Sequence, residues 1–155
     1  MKLKVNLGFL SKIFEGAIGI EKTYNQCDRA ISKLREYNKE IESMQENNED
    51  ISSYPAAKKA ELDRIVNEAI TNAEQLLSKE SERNWVGVFR EMHKNLATIY
   101  VEQREYDKAR EKCEHLQQYG EVGEQDAAEI LQQIKEIEEG PDDSSEEATE
   151  SAASA

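Results

Sequence analysis

Residues 89–119, FREMHKNLATIYVEQREYDKAREKCEHLQQY, carry two apolar stripes at helical spacing, joined by a short polar link. In the first half Phe89, Met92, Leu96, Ile99 and Tyr100 recur at steps of three and four, while Arg90, Glu91, Lys94, Asn95 and Glu102 point elsewhere. In the second half Tyr106, Ala109, Cys113, Leu116 and Tyr119 fall on one face, and Lys108, Arg110, Glu111, Lys112 and Glu114 cover the other. The link, Gln103, Arg104 and Glu105, is too short to let the helices do anything but turn back on each other as antiparallel neighbours. Small Ala97 and Ala109, one on each helix, allow the two axes to approach closely.

Leu96, Ala97, Tyr100, Tyr106 and Ala109, followed by Cys113 and Leu116, resemble the signature of the tetratricopeptide repeat. The resemblance covers about a fifth of the chain. It departs from the pattern at three places: His93 stands where the family often has Trp, Arg104 replaces the usual turn Gly, and no Pro follows Tyr119. It implies a helical-repeat architecture in which the first helix of each pair lines a binding face for a protein or peptide partner. Some members of the family grip a peptide's terminal carboxylate with a Lys followed four residues later by Asn. Lys94 fills the first of those positions and Thr98 the second, which leaves carboxylate recognition without its Asn. Arg90, Lys94 and Thr98, at successive steps of four, are the expected partner-facing residues.

Working outward, the other segments also read as helix. From Ile20 to about residue 47, Ile20, Cys27, Leu34 and Ile41 repeat every seven residues, with Tyr24 and Ile31 interleaved and polar Asn38 continuing the second series. Such a seam fits a helix packed lengthwise on its own domain, or a homodimer through residues 20–45. The stretch NNEDISSYP, residues 47–55, breaks the pattern, with Pro55 suited to a first helical turn and Ser53 nearby to cap it. Leu62, Ile65, Val66, Ala69, Ile70, Ala73, Leu76 and Leu77 then form a broad stripe that marks a central helix ending near Lys79. The next helix is expected to open near Arg83 or Asn84, with Trp85 in the core or lining a groove. After Tyr119 and Gly120 the helix stops. Gly123 reads as a further break, and Glu124, Gln125 and Asp126 as the first turn of a last helix with Ala127, Ile130, Leu131, Ile134 and Ile137 on its apolar face.

The two ends of the chain differ from its middle. Residues 1–19 are apolar and hold Lys2, Lys4 and Lys12 against the single acid Glu15. Asn6, Lys12 and Glu15 interrupt the run, so neither a secretory signal nor the roughly 20 apolar residues of a membrane span is present. Phe9, Leu10, Ile13 and Phe14 share a helical face, which either caps the core or meets a membrane surface or partner. At the other end, residues 140–155 begin with the Gly140-Pro141 stop and contain no large apolar or basic side chain, the composition of a disordered acidic tail.

Composition limits the function classes. The chain has 155 residues and a net charge of −13, which disfavours a nucleic-acid backbone as partner and favours basic protein or peptide surfaces. Two prolines and seven glycines, with 34% charged residues, point to an all-α fold: antiparallel helical hairpins in a repeat-like array of about five helices over residues 20–139. Cys27 and Cys113 lie on apolar stripes far apart in sequence, as reduced core thiols of a cytoplasmic protein do. His93, Cys113 and His115 do not make a metal site, because residues two apart on a helix face different ways. With no Gly-rich phosphate loop, no His-Glu-x-x-His, no Cys-x-x-Cys and no nucleophile elbow, neither an enzyme nor a cofactor is expected. The sequence reads as an adaptor or small chaperone-like interaction module. The alternative is a membrane-peripheral or assembly subunit anchored by its N-terminal segment.

Overall fold

A computed structural model describes residues 7–140, with the side chains of residues 19–140. The side chains of Phe9, Leu10, Ile13 and Phe14 and the acidic tail after Gly140 therefore lie outside the described residues. Within them the elements are α1 (Leu7–Glu46), α2 (Ala56–Leu77), α3 (Val86–Glu102), α4 (Tyr106–Leu116) and α5 (Gly120–Glu139), with one 3-10 turn at Ile51–Ser53. There is no strand among the described residues.

Short links make consecutive helices antiparallel, and cross-helix pairs fix their register. Gln26 of α1 accepts from Asn72 of α2 at 2.6 Å, and Glu40 meets Lys58 at 3.3 Å toward the other end. Arg110 of α4 pairs with Glu138 of α5. Alternation makes α1, α3 and α5 run in one direction, and they pack side by side in one layer, α3 in the middle. Helices α2 and α4 form the second layer, linked by the ion pair Lys112–Glu74 at 2.7 Å. Helix α3 touches all four others, and its Phe89, Met92, Leu96 and Ile99 are the centre of the core, none more than 2% exposed. Ala97 and Ala109 are fully buried where α3 and α4 approach, as their size requires.

Helix α1 runs unbroken through Ile20, where the composition shift placed a boundary. Gly16 and Gly19 cost a helix interior about 1 kcal/mol each, but the apolar spacing continues through them and the helix does too. Its seam is buried within the chain: Cys27, Leu34 and Ile41 are in the core, with Tyr24 and Ile31 packed against its edge. Asn38 donates to both the carbonyl and the carboxylate of Glu102, each at 3.0 Å, so it sets the register of α1 against α3.

Several boundaries differ from the sequence reading. Ser53 does not cap α2; its hydroxyl donates to the Asp50 carbonyl at 2.6 Å, and Asp50 caps the 3-10 turn while Pro55 stands immediately before α2. Helix α3 opens at Val86, after Trp85, and α4 ends at Leu116, three residues before Tyr119. Gly123 is no break. It is buried inside α5, where a Cβ would lie 2.1 Å from the Leu116 carbonyl oxygen, so only glycine lets the start of α5 sit against the end of α4. The chain reverses three residues earlier, at Gly120, whose φ of 73° is left-handed. Asp126 is not a first-turn acid but a buried partner of Lys94.

The ends of α1 and α3 use one device. Asn48 (φ 56°) and Arg104 (φ 63°) are left-handed. The amide of the following residue reaches back five positions in each, Glu49 to Met44 O at 2.8 Å and Glu105 to Tyr100 O at 2.9 Å, which satisfies the last carbonyls as a Schellman motif.

Candidate binding groove

The layer of α1, α3 and α5 exposes a shallow groove between its first two helices. Parallel α1 and α3 lie close enough to share the core but leave a cleft of about 440 Å³, with Asp28, Ile31, Ser32, Arg35, Glu36 and Lys39 on the α1 wall and Thr98 on the α3 wall. Its floor is apolar at Ile31, which packs against the core, and its rim carries two acids and two bases. On the α1 wall, Arg35 meets the Glu102 carboxylate at 3.1 Å, beside Asn38.

Of the three residues expected to face a partner, Thr98 is in this groove, with its hydroxyl donating to the Lys94 carbonyl at 2.9 Å. Lys94 leans the other way, to Asp126 of α5 at 3.3 Å, and keeps 41% of its side chain exposed. Arg90 is half-buried, and its Nε is enclosed without a hydrogen-bond partner among the described residues. The three share one side of α3 but not one site. The α1 wall was not anticipated. Asp28, Ser32, Arg35 and Lys39 recur at steps of three and four, a helical face that is indistinguishable in sequence from any solvated surface.

A second polar constellation joins the α2–α3 link to the other layer. Glu80 accepts from the Tyr119 hydroxyl and pairs with Nε2 of His93 at 2.9 Å. The His93 ring, 1% exposed, stacks on His115 at 4.8 Å and 5°, and its Nδ1 has no partner among the described residues. Burial lowers the His93 pKa, opposed by the neighbouring Glu80 and helped by Lys112 and His115. Burial would raise Glu80, but the hydrogen bonds from Tyr119 and His93 outweigh it and hold the carboxyl below its usual range. Parallel stacked imidazoles do not converge their nitrogens on one point. Among the described residues no group of three or more His, Cys, Asp or Glu is placed to hold a metal ion. Burial pushes the Cys27 thiol up to about 12 and the Cys113 thiol up to about 11, so neither is a thiolate nucleophile near neutral pH.

Among the described residues no helix is long and apolar enough to cross a membrane. No family model, no curated protein and no solved structure matches the chain.

Proposed function

We propose that the chain is a protein-interaction module of helical-repeat type, an adaptor or small chaperone-like protein that receives a peptide segment of a partner on the α1–α3–α5 layer. The observation that carries this reading is the cleft between the parallel helices α1 and α3, lined by polar and charged side chains around one apolar residue, Ile31. In this reading α1–α2 and α3–α4 are successive tetratricopeptide-like pairs, with the first helix of each lining the binding face, and α5 closes the array with a polar outer side. Support for that comes from the order of packing and from Arg104, which holds the left-handed turn position where the family has Gly. The net charge of −13 favours a basic segment.

The test starts from peptides selected from a displayed library against the full chain, followed by titration of a selected peptide. Thr98→Arg and Ser32→Arg each fill the cleft from one wall and are expected to weaken binding by about tenfold, or about 1.4 kcal/mol. Lys94→Glu is expected to do less, because Lys94 leans away from the cleft to Asp126 of α5. Equal affinity for both cleft variants and the wild type removes the groove as the site.

A further inference from the structure

The α1–α3 cleft carries four charged side chains, and the folded chain matches two of them internally. Glu36 is turned to Lys33 of its own helix at 3.3 Å, and Arg35 crosses to Glu102 of α3 at 3.1 Å. Asp28 and Lys39 are both exposed, and neither has an ion-pair partner among the described residues. They stand about three turns apart on one face of α1, about 16 Å along its axis, with Ile31 and Ser32 between them and Thr98 on the facing wall. The cleft therefore offers an unmatched acid toward the start of α1, an unmatched base toward its end, and one apolar side chain in between.

Helix α3 adds to this division. Tyr24, one turn before Asp28, packs against the core. Burial raises the pKa of its hydroxyl, the nearby Glu91 of α3 raises it further, and Arg90 offsets part of that. Glu91 has no ion pair among the described residues, so it supplies a second carboxylate beside the Asp28 end of the cleft. At the other end Glu102 is held by Arg35 and Asn38 and does not cancel Lys39. Nor do Glu36 and Glu42, each three residues from Lys39, pair with it among the described residues. The net charge of −13 draws any basic segment from a distance. It is screened beyond about 8 Å at physiological salt, and contact charges decide between segments once one is seated.

Taking the α1–α3 cleft as the peptide site, we propose that it selects an extended partner segment with one basic and one acidic side chain about five residues apart, the base over Asp28 and Glu91 and the acid over Lys39. An apolar residue between the two lies on Ile31. Five residues of extended chain at about 3.3 Å each span the separation of Asp28 and Lys39. The cleft is thus a reader of charge order and spacing, not a general sink for cations.

Fluorescent nine-residue peptides of alanine and leucine test this. Positions five apart carry lysine and glutamate in either order, two lysines, two glutamates, or no charge, and each peptide is titrated by anisotropy against the full chain in low salt. The wild type is expected to bind one of the mixed peptides at least about threefold tighter than all the unmixed ones. Asp28→Lys is expected to move the preference to two glutamates, and Lys39→Glu to two lysines. The double variant keeps the wild-type net charge and is expected to return the preference to a mixed peptide. Lys135→Glu, exposed on α5, changes the net charge as Lys39→Glu does and is expected to leave the ranking as it is. Circular dichroism checks that each variant keeps its helicity. A wild type that prefers two lysines, or a ranking that no cleft reversal changes, overturns the charge reading. So does binding of none of these peptides while a library-selected peptide binds. In each case the groove itself stands as long as Thr98→Arg weakens the bound peptide, and falls with the loss of that effect.

Discussion

Glu80 ties three separate parts of the chain together through one carboxylate: its own link between α2 and α3, His93 on α3, and Tyr119 beyond α4. Both ionisable members of the His93–Glu80 pair have lowered folded-state pKa values, so the unfolded chain binds more protons than the folded one as pH falls. The His93 contribution is complete above the unfolded value near 6.5 and is lost below it; the Glu80 contribution is complete above about 4.5 and is lost lower still. Urea midpoints are therefore expected to fall on acidification, first below pH 6.5 and again below 4.5. In His93→Gln the upper step is expected to vanish while the lower persists. An unchanged pH profile in that variant would show that the ring titrates as freely in the folded chain as in the unfolded one. The histidine stands four residues after Phe89 and three before Leu96, at stripe spacing, but spacing alone does not say that a polar ring there is buried. Only the neighbouring carboxylate and the second ring make its burial tolerable.

At the scale of elements, the ends of helices decide more than their middles. Arg104 and Asn48 accept left-handed backbone because Schellman bonds and the packing of the next element hold them there. Such a conformation costs an ordinary residue about 1–2 kcal/mol. Gly123 is different, since the constraint is space and not φ. Gly123→Ala would drive a Cβ into the Leu116 carbonyl, backbone that cannot rotate away, so α5 must shift as a body. A loss of about 2–3 kcal/mol is expected, read as a drop in Tm of several degrees for a domain of this size. Gly120→Ala is expected to cost less, about 1 kcal/mol, because its surroundings are open and only the left-handed φ of 73° is strained. A Gly123→Ala protein as stable as the wild type would mean that α4 and α5 do not meet this closely.

For the whole molecule, α3 at the middle of its own layer and in contact with both helices of the other predicts a gradient of stability. Its core residues Phe89 to Tyr100 pack on every other helix, so their amides are expected to exchange with deuterium only through global unfolding. The last turns of α5, where Ile137 is 51% exposed and Glu136, Glu138 and Glu139 face solvent, are expected to exchange orders of magnitude faster by local fraying. Mass-spectrometric exchange on the full chain reads both, and uniform protection across α3 and the end of α5 would contradict the layered packing. The same layering creates the cleft, because α1 and α3 meet side by side as parallel neighbours without sharing a turn.

What the residues settled alone is local. The spacing of Phe89, Met92, Leu96 and Ile99 and of Tyr106, Ala109, Cys113 and Leu116 specifies two helices, and three linking residues specify their antiparallel pairing, because periodicity and loop length are written along the chain. Which side of α1 becomes a wall, why Gly123 must be glycine, that Arg90, Lys94 and Thr98 part company, and that His93 is interior were settled only by tertiary packing. Each depends on a neighbour more than ten residues away or on another helix, and a period of 3.6 says which residues share a face but not what that face will meet.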